Sequence, residues 1–253
     1  MISQIIEGVV QGVTEFLPIS SSGHIVFLEK ITEFSSDNLA QIQVALHLGT
    51  LLAILIFYYK DLKEILMNIK CNWKFIFYIF LGTLPLVAVY FFCYDYFKNM
   101  HNNINHSFDI MSYCIIITGF LLLSTRFIEP RDAKLNYKLI LIIGCMQCLA
   151  ILPGISRSGV TICSALLLGL PSKQATKISF FLAIPAILGV SVLEIKGFFS
   201  SGSAIDFPFT GFFTSLIVGY VSLRLLISIS SSGKIWYFSI YCFIMGAISF
   251  LFF

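Results

Sequence analysis

Charge is scarce in this chain. Lys, Arg, Asp and Glu supply 11% of its 253 residues, against 58% apolar types, whereas a water-soluble domain carries about 25% charged residues. Too few charges are present to coat a water-facing surface. The basic start of a secretory signal is also missing. Met1–Ile19 carries Glu7, Gln11 and Glu15 within its apolar stretch, so it is expected to belong to the mature fold. Nor is there a paired cysteine framework. Cys71, Cys93, Cys114, Cys145, Cys148, Cys163 and Cys242 are scattered. Cys145 and Cys148 have CxxC spacing, but without a second pair or a His partner they read as apolar packing residues and not as a zinc site.

Long apolar runs take the place of charge. Leu39–Tyr59, Trp73–Phe92, Ile110–Phe127, Thr176–Ile195, Phe207–Ile229 and Ile235–Phe253 are each about the ~20 residues that cross hydrocarbon as a helix. Six such runs could not all be hidden in the core of a chain this short. If each crosses once, Lys60, Lys63, Lys70, Lys74, Arg126, Arg131, Lys134, Lys138, Lys173, Lys177, Arg224 and Lys234 share one side, twelve against Lys30, Lys98 and Lys196 on the other. That bias predicts a cytoplasmic Lys-rich face and both termini outside. His101 and His106, with Asn102, Asn103 and Asn105, are expected in a solvated outer loop without a metal site.

Two segments do not read as simple crossings. Ile2–Leu17 and Leu139–Leu152 are short, each ends at Leu-Pro, and each is followed by a Ser- and Gly-rich cluster and another short apolar stretch. Broken segments of this kind predict re-entrant helix pairs, tolerated at membrane depth only where protein or a wet cavity covers the backbone. They also resemble each other. Gln11, Leu17-Pro18 and Ser20-Ser21-Ser22-Gly23 rhyme with Gln147, Leu152-Pro153 and Ser156-Arg157-Ser158-Gly159, and Gly82-Thr83-Leu84-Pro85 rhymes with Leu182-Ala183-Ile184-Pro185. Three crossings separate the copies, so the second is inverted. The expected fold is an all-α polytopic membrane protein, one domain over residues 1–253. It would consist of two inverted repeats, about 1–127 and 138–253, with six full transmembrane helices and two re-entrant pairs meeting near the midplane.

The polar residues in those segments are the candidates for chemistry. Glu7, Gln11 and Glu15 recur every four residues and form one helical stripe. A carboxylate deep in an apolar segment is read by default as functional; Glu7 is expected nearer the outer interface. Ser20-Ser21-Ser22-Gly23-His24 and Ser156-Arg157-Ser158-Gly159, with Thr161 beyond, look like helix starts, whose free N–H groups attract anions. N-capping explains one serine of each cluster but not the rest. Ser21 is a candidate nucleophile, with His24 or Glu15 taking its proton. Arg157, lone between apolar segments, needs an anion, which is either a phosphoryl group bound in a bidentate fork or Glu15 in the resting protein. His47, inside the first long run, reads as a packing residue.

On Gln11-x-x-x-Glu15, Leu17-Pro18-Ile19-Ser20-Ser21-Ser22-Gly23-His24, Leu48-Gly49-Thr50-Leu51-Leu52-Ala53, Pro153-Gly154-Ile155-Ser156-Arg157-Ser158-Gly159-Val160-Thr161 and Phe181-Leu182-Ala183-Ile184-Pro185, the chain resembles the undecaprenyl-diphosphate phosphatase family, the bacitracin-resistance proteins. The resemblance implies hydrolysis of undecaprenyl diphosphate to undecaprenyl phosphate and inorganic phosphate in the bacterial cytoplasmic membrane. That reaction recycles the carrier lipid of peptidoglycan synthesis. The resemblance further implies a site opening to the outer face and support by Mg²⁺ or another divalent cation. It makes Glu15, Ser21, His24 and Arg157 the catalytic set and Gln11, Ser20, Ser22, Gly23, Ser156, Ser158 and Thr161 the substrate-binding set. Glu15 is the carboxylate available to a metal. Gln11 stands where another form of the family has a second glutamate, which weakens a two-carboxylate metal site. The expected partners are undecaprenyl diphosphate and the bilayer, with a homo-oligomer admitted and no nucleic acid. The rival from another class is a polyprenyl-phosphate flippase or anion transporter, which the inverted repeat equally permits.

Overall fold

A computed structural model describes residues 2–32, 39–102, 104–128, 132–201 and 207–252, and every regular element among them is helical. In chain order these are α1 (Ile2–Thr14), α2 (Ser21–Thr32), α3 (Leu39–Phe57), α4 (Tyr59–Met67), α5 (Ile69–Asn102), α6 (Ile104–Ser124), α7 (Tyr137–Gln147), α8 (Arg157–Leu167), α9 (Ser172–Ser201), α10 (Phe209–Ser231) and α11 (Phe238–Phe252). Arg131, Asn103 and Phe253 lie outside the described residues, as do the side chains of Lys98, His101, Asn102, Asn105 and His106. The stretch expected as an outer loop around His101 and His106 is backbone helix on both sides, because α5 runs on to Asn102 and α6 begins at Ile104.

Four helical spans are long and apolar enough to cross a membrane: Ile69–Phe92, Ile110–Phe127, Ser172–Lys196 and Phe209–Ser231. The run Leu39–Tyr59 differs from the expected straight crossing, since α3 stops at Phe57 and the chain turns by 69° into α4. The physical reason lies in α4 itself. It carries Lys60, Asp61, Lys63 and Glu64 and buries no residue, so it lies flat where one face meets water. The last run is also broken, into a 3-10 turn at Ile235–Tyr237 and the short α11. The chain is thus a multi-pass membrane protein. Its outer wall is apolar, with Phe80, Phe91 and Phe92 of α5 exposed to the surroundings, as lipid-facing side chains must be.

Helices pack through small residues, which let backbones approach closely where lipid removes the hydrophobic drive. A Cβ added at Gly144 of α7 would lie 2.2 Å from the Gly82 carbonyl oxygen of α5. Gly12 of α1 meets Gly219 of α10 in the same way, its added Cβ falling 2.8 Å from the Gly219 nitrogen. The neighbour pairs come in matching sets: α1 packs on α10 as α7 packs on α5, α3 on α10 as α9 on α5, and α6 packs along α11. At the Lys-rich end, Lys177 of α9 is ion-paired with Asp61 of α4, and the Arg126 guanidinium lies 4.6 Å over the Trp236 ring. Those contacts gather the basic ends of α4, α6, α9 and the turn before α11 into two clusters.

Candidate functional site

The two short helix pairs, α1–α2 and α7–α8, deliver their polar tips to one another. α1 ends at Thr14, and the chain turns through Leu17-Pro18 before α2 starts at Ser21. α7 gives way to a 3-10 turn, Cys148–Ile151, and α8 starts at Arg157. Each Pro cannot continue the preceding helix, and each Ser-x-Ser-Gly that follows can begin a new one. Ser156 is the N-cap of α8 and accepts from the Gly159 N–H at 3.1 Å. Ser20 does the equivalent for α2, its hydroxyl accepting from the Gly23 N–H at 3.3 Å.

The tips touch across the repeat. The Gly154 N–H donates to Ser22 Oγ at 3.4 Å, and Ser158 Oγ donates to the Leu17 carbonyl at 3.5 Å. Gly154 has φ +95° and sits against α6, where an added Cβ would fall 2.4 Å from the Met111 carbonyl oxygen. Only glycine meets both demands. Thr118 of α6 ties the same tip from below, donating to the Gly154 carbonyl at 3.4 Å and accepting from the Ser156 N–H at 3.2 Å.

Glu15 is the centre of the site. It is 8% exposed, and three donors converge on it. Arg157 Nη2 is ion-paired with Oε1. Ser21 Oγ donates to Oε2 at 2.7 Å, and Gln11 Nε2 donates to the same oxygen at 3.1 Å. The resting pair between Arg157 and Glu15 therefore forms, and it spans the two tips. Ser21 is half-buried and Ser22 exposed, while Ser20, Ser156, Ser158 and Thr161 are buried. Thr161 turns away from the tip, bonding Ser179 Oγ of α9 at 2.7 Å. Glu7, expected near the outer interface, is buried against its protein neighbours, at 3% exposure.

His24 does not face Ser21. Its Nδ1 lies 2.7 Å from the Ser20 carbonyl and its Nε2 2.8 Å from the Tyr241 hydroxyl. A carbonyl only accepts, so Nδ1 carries the hydrogen, and a neutral ring then accepts from Tyr241 at Nε2. The rings of His24 and Tyr241 are stacked 5.6 Å apart. Ser20, whose carbonyl is held this way, has φ 72°, the only positive value of a non-glycine among the described residues. Such a conformation persists where its surroundings enforce it, as at functional sites. Tyr241 and Thr118 were not among the residues singled out in the sequence, and nothing in their local pattern marks them. His47, read there as packing, is half-buried and anchors Nδ1 on the Gln43 carbonyl at 2.8 Å.

Among the described residues no group of three or more His, Cys, Asp or Glu side chains could cage a metal ion. What the tips offer is one carboxylate, one guanidinium, two helix N-termini and several hydroxyls. That set suits an anionic phosphoryl group, whose charge is stabilised by preorganised donors.

Comparison with known proteins agrees with this chemistry. The family model described as bacitracin resistance protein BacA matches residues 4–248. An undecaprenyl-diphosphatase of Carboxydothermus hydrogenoformans is 39% identical over 251 residues, covering 96% of this chain and 93% of that protein.

Proposed function

The chain belongs to the bacitracin resistance protein BacA family, and from that premise we propose how its tips carry out the family's reaction. Its activity is that of an undecaprenyl-diphosphatase: it removes the terminal phosphate of undecaprenyl diphosphate within the membrane. The observation that carries the mechanism is the shared carboxylate, Glu15, which binds the Ser21 hydroxyl and the Arg157 guanidinium at once.

The diphosphate enters at the meeting of the tips while its isoprenoid tail stays in lipid. Arg157 leaves Glu15 for the phosphoryl oxygens, which it grips in a two-pronged fork. The N-terminal N–H groups of α2 and α8 add donors from either side. Freed of its counter-ion, Glu15 becomes a stronger base, and Oε2 already accepts from Ser21. Ser21 Oγ gives its proton to Glu15 and bonds to the terminal phosphorus. The bridging P–O bond breaks, and the lipid monophosphate leaves as an anion that needs no proton. Water then cleaves the phosphoserine, releasing inorganic phosphate and restoring the hydroxyl. His24 positions this reaction instead of accepting from Ser21, since it holds the Ser20 carbonyl at the start of α2.

For a divalent cation the tips hold the Glu15 carboxylate but no cluster of three His, Cys, Asp or Glu side chains among the described residues. Mg²⁺ commonly takes one or two carboxylates together with substrate phosphates, and Glu15 with the Gln11 amide oxygen would be the protein's share. Bound there, the ion would supply positive charge to the phosphoryl oxygens. The matched neighbour pairs around α1–α2 and α7–α8 support two inverted halves, about 1–127 and 138–253. The basic clusters at the ends of α4 and α9 support a cytoplasmic Lys-rich face in the bacterial inner membrane, with both termini and the mouth of the site outside.

Phosphate release from undecaprenyl diphosphate by purified protein tests the reading. Wild type is expected to release phosphate with Mg²⁺ present, Arg157→Ala and Ser21→Ala to release none, and the wild type to yield a phosphopeptide containing Ser21 when quenched. Full activity of Ser21→Ala would hand the attack to water. Lipid binding without any phosphate release would point to a transporter.

A further inference from the structure

A groove of about 440 Å³ lies beside the site, on the side of the molecule that carries Lys234. Its volume falls within the ~300–1,000 Å³ of small-molecule sites. Val13, Leu17 and Ile19 form one wall, Ile229 and Phe238 another, and Lys234 supplies the single charge. Lys234 is exposed and takes part in no ion pair among the described residues. Trp236 and Tyr237 follow it after Ile235, and such aromatic residues settle at the headgroup level of a bilayer. Arg126 joins them there, over the Trp236 ring. A cation at headgroup depth above an apolar trough has the chemistry of an anionic-lipid site.

The groove also touches the reaction centre. Thr14, which lines it, precedes Glu15, and Ile19 precedes Ser20. Tyr241 lines it too, and its hydroxyl is the one bonded to His24 Nε2 at 2.8 Å. An occupant would therefore press on the element that fixes the start of α2.

We propose that this groove binds the lipid monophosphate of the Lys-rich, cytoplasmic leaflet, which is the reaction's product once it has returned across the membrane, with its phosphate at Lys234 and its first isoprene units between the apolar walls, and that occupancy restrains hydrolysis through Tyr241. The identity of the ligand rests on the diphosphatase reading above. Charge selects the monophosphate: one cation faces this groove, whereas the tips offer Arg157 and two helix N-termini to a diphosphate. A single trough takes one chain, whereas a glycerophospholipid brings two.

The test is binding of radiolabelled undecaprenyl phosphate to purified full-length protein in detergent, for wild type, Lys234→Glu and Ile229→Trp, beside initial rates of phosphate release from undecaprenyl diphosphate. Both variants are expected to bind the monophosphate about tenfold more weakly. Their initial hydrolysis should match wild type, while inhibition by added undecaprenyl phosphate should disappear. Unchanged monophosphate binding in both variants overturns the proposal. So does equal displacement of the label by phosphatidylglycerol, which makes the groove a general lipid cleft. A parallel fall in kcat/KM for the diphosphate also overturns it, because the groove would then be the substrate's own entry. The two readings fail separately: folded wild type that releases no phosphate sinks the diphosphatase reading, and the binding measurements on that same sample still decide the groove.

Discussion

Breaking the Glu15–Arg157 pair from one side should cost stability that breaking it from both sides restores. The pair is well buried, with side-chain exposures of 17% for Arg157 and 6% for Glu15. Removing one member of a buried pair strands the other charge, a change of about 3–5 kcal/mol, whereas replacing both by neutral groups of similar volume is near neutral. Glu15→Gln strands Arg157, and Arg157→Met strands Glu15, although Glu15 keeps its bonds from Ser21 and Gln11. That residual solvation places Arg157→Met at the lower end, about 3 kcal/mol, and Glu15→Gln somewhat higher. For a chain of this size about 3 kcal/mol corresponds to a fall in Tm of roughly 6–12 °C. The double variant Glu15→Gln/Arg157→Met should recover most of that fall and cost about 1 kcal/mol, so the two single costs together exceed it by about 5–6 kcal/mol. All three variants should be inactive, because the same two groups serve the phosphoryl transfer. The assay is a thermal melt in one detergent for the four proteins of the cycle, with phosphate release measured on each. Additive effects, within about 0.5 kcal/mol, would refute the structural account of the pair. An active double variant would refute the catalytic one.

Four further outcomes follow from named contacts. Ser21→Ala should lower kcat by at least about 10²-fold while leaving Tm near wild type, because Ser21 is half-buried and its hydroxyl bonds Glu15 alone among the described residues; steady-state phosphate release and a melt check both halves. Tyr241→Phe keeps the ring stacked on His24 but removes one hydrogen bond, so a loss of about 1 kcal/mol, or about fivefold in kcat with little change in KM, is expected in the same assay. Gly144→Ala drives a methyl into the Gly82 carbonyl and should destabilise by at least about 1–3 kcal/mol, whereas Gly189→Ala, whose added Cβ meets nothing within 4 Å, should be neutral or stabilising by up to ~1 kcal/mol; paired melts compare them. Lys177→Ala removes an ion pair whose partners are 37% and 38% exposed and should shift stability by less than about 1 kcal/mol.

Much of the site could be read in the chain because its residues lie in two short motifs with local consequences. Pro18 and Pro153 stop helices, Ser20 and Ser156 start them, and a lone Arg at membrane depth demands an acid. The pairing of Arg157 with Glu15 follows from charge cost alone, across 142 positions of sequence. Tyr241 is different. It lies 217 positions from His24 in an apolar run where a tyrosine has an ordinary place, so only the packing of α11 beside α2 reveals its role. Thr118 escapes notice for the same reason, since a threonine bonding its own helix, as it also does to the Cys114 carbonyl, carries no sign of a second task. The bend after Phe57 was hidden by composition: the apolar run continues through Tyr58 and Tyr59, and only the charges beyond them force the chain to lie flat.

A site that rests with its cation already matched to its own carboxylate sets a threshold for whatever enters. An incoming anion must offer Arg157 more than Glu15 does, and in the geometry of the existing pair. Chloride has one contact point and a weak hold on its charge, so it leaves the pair closed. A terminal phosphoryl group brings several oxygens and meets two helix N-termini as well, so it opens the pair and, by opening it, frees the base that Ser21 requires. Discrimination and activation are then a single event. The protein can stand in a medium full of small anions with its nucleophile idle, and the reagent that arms it is the one it is built to cut.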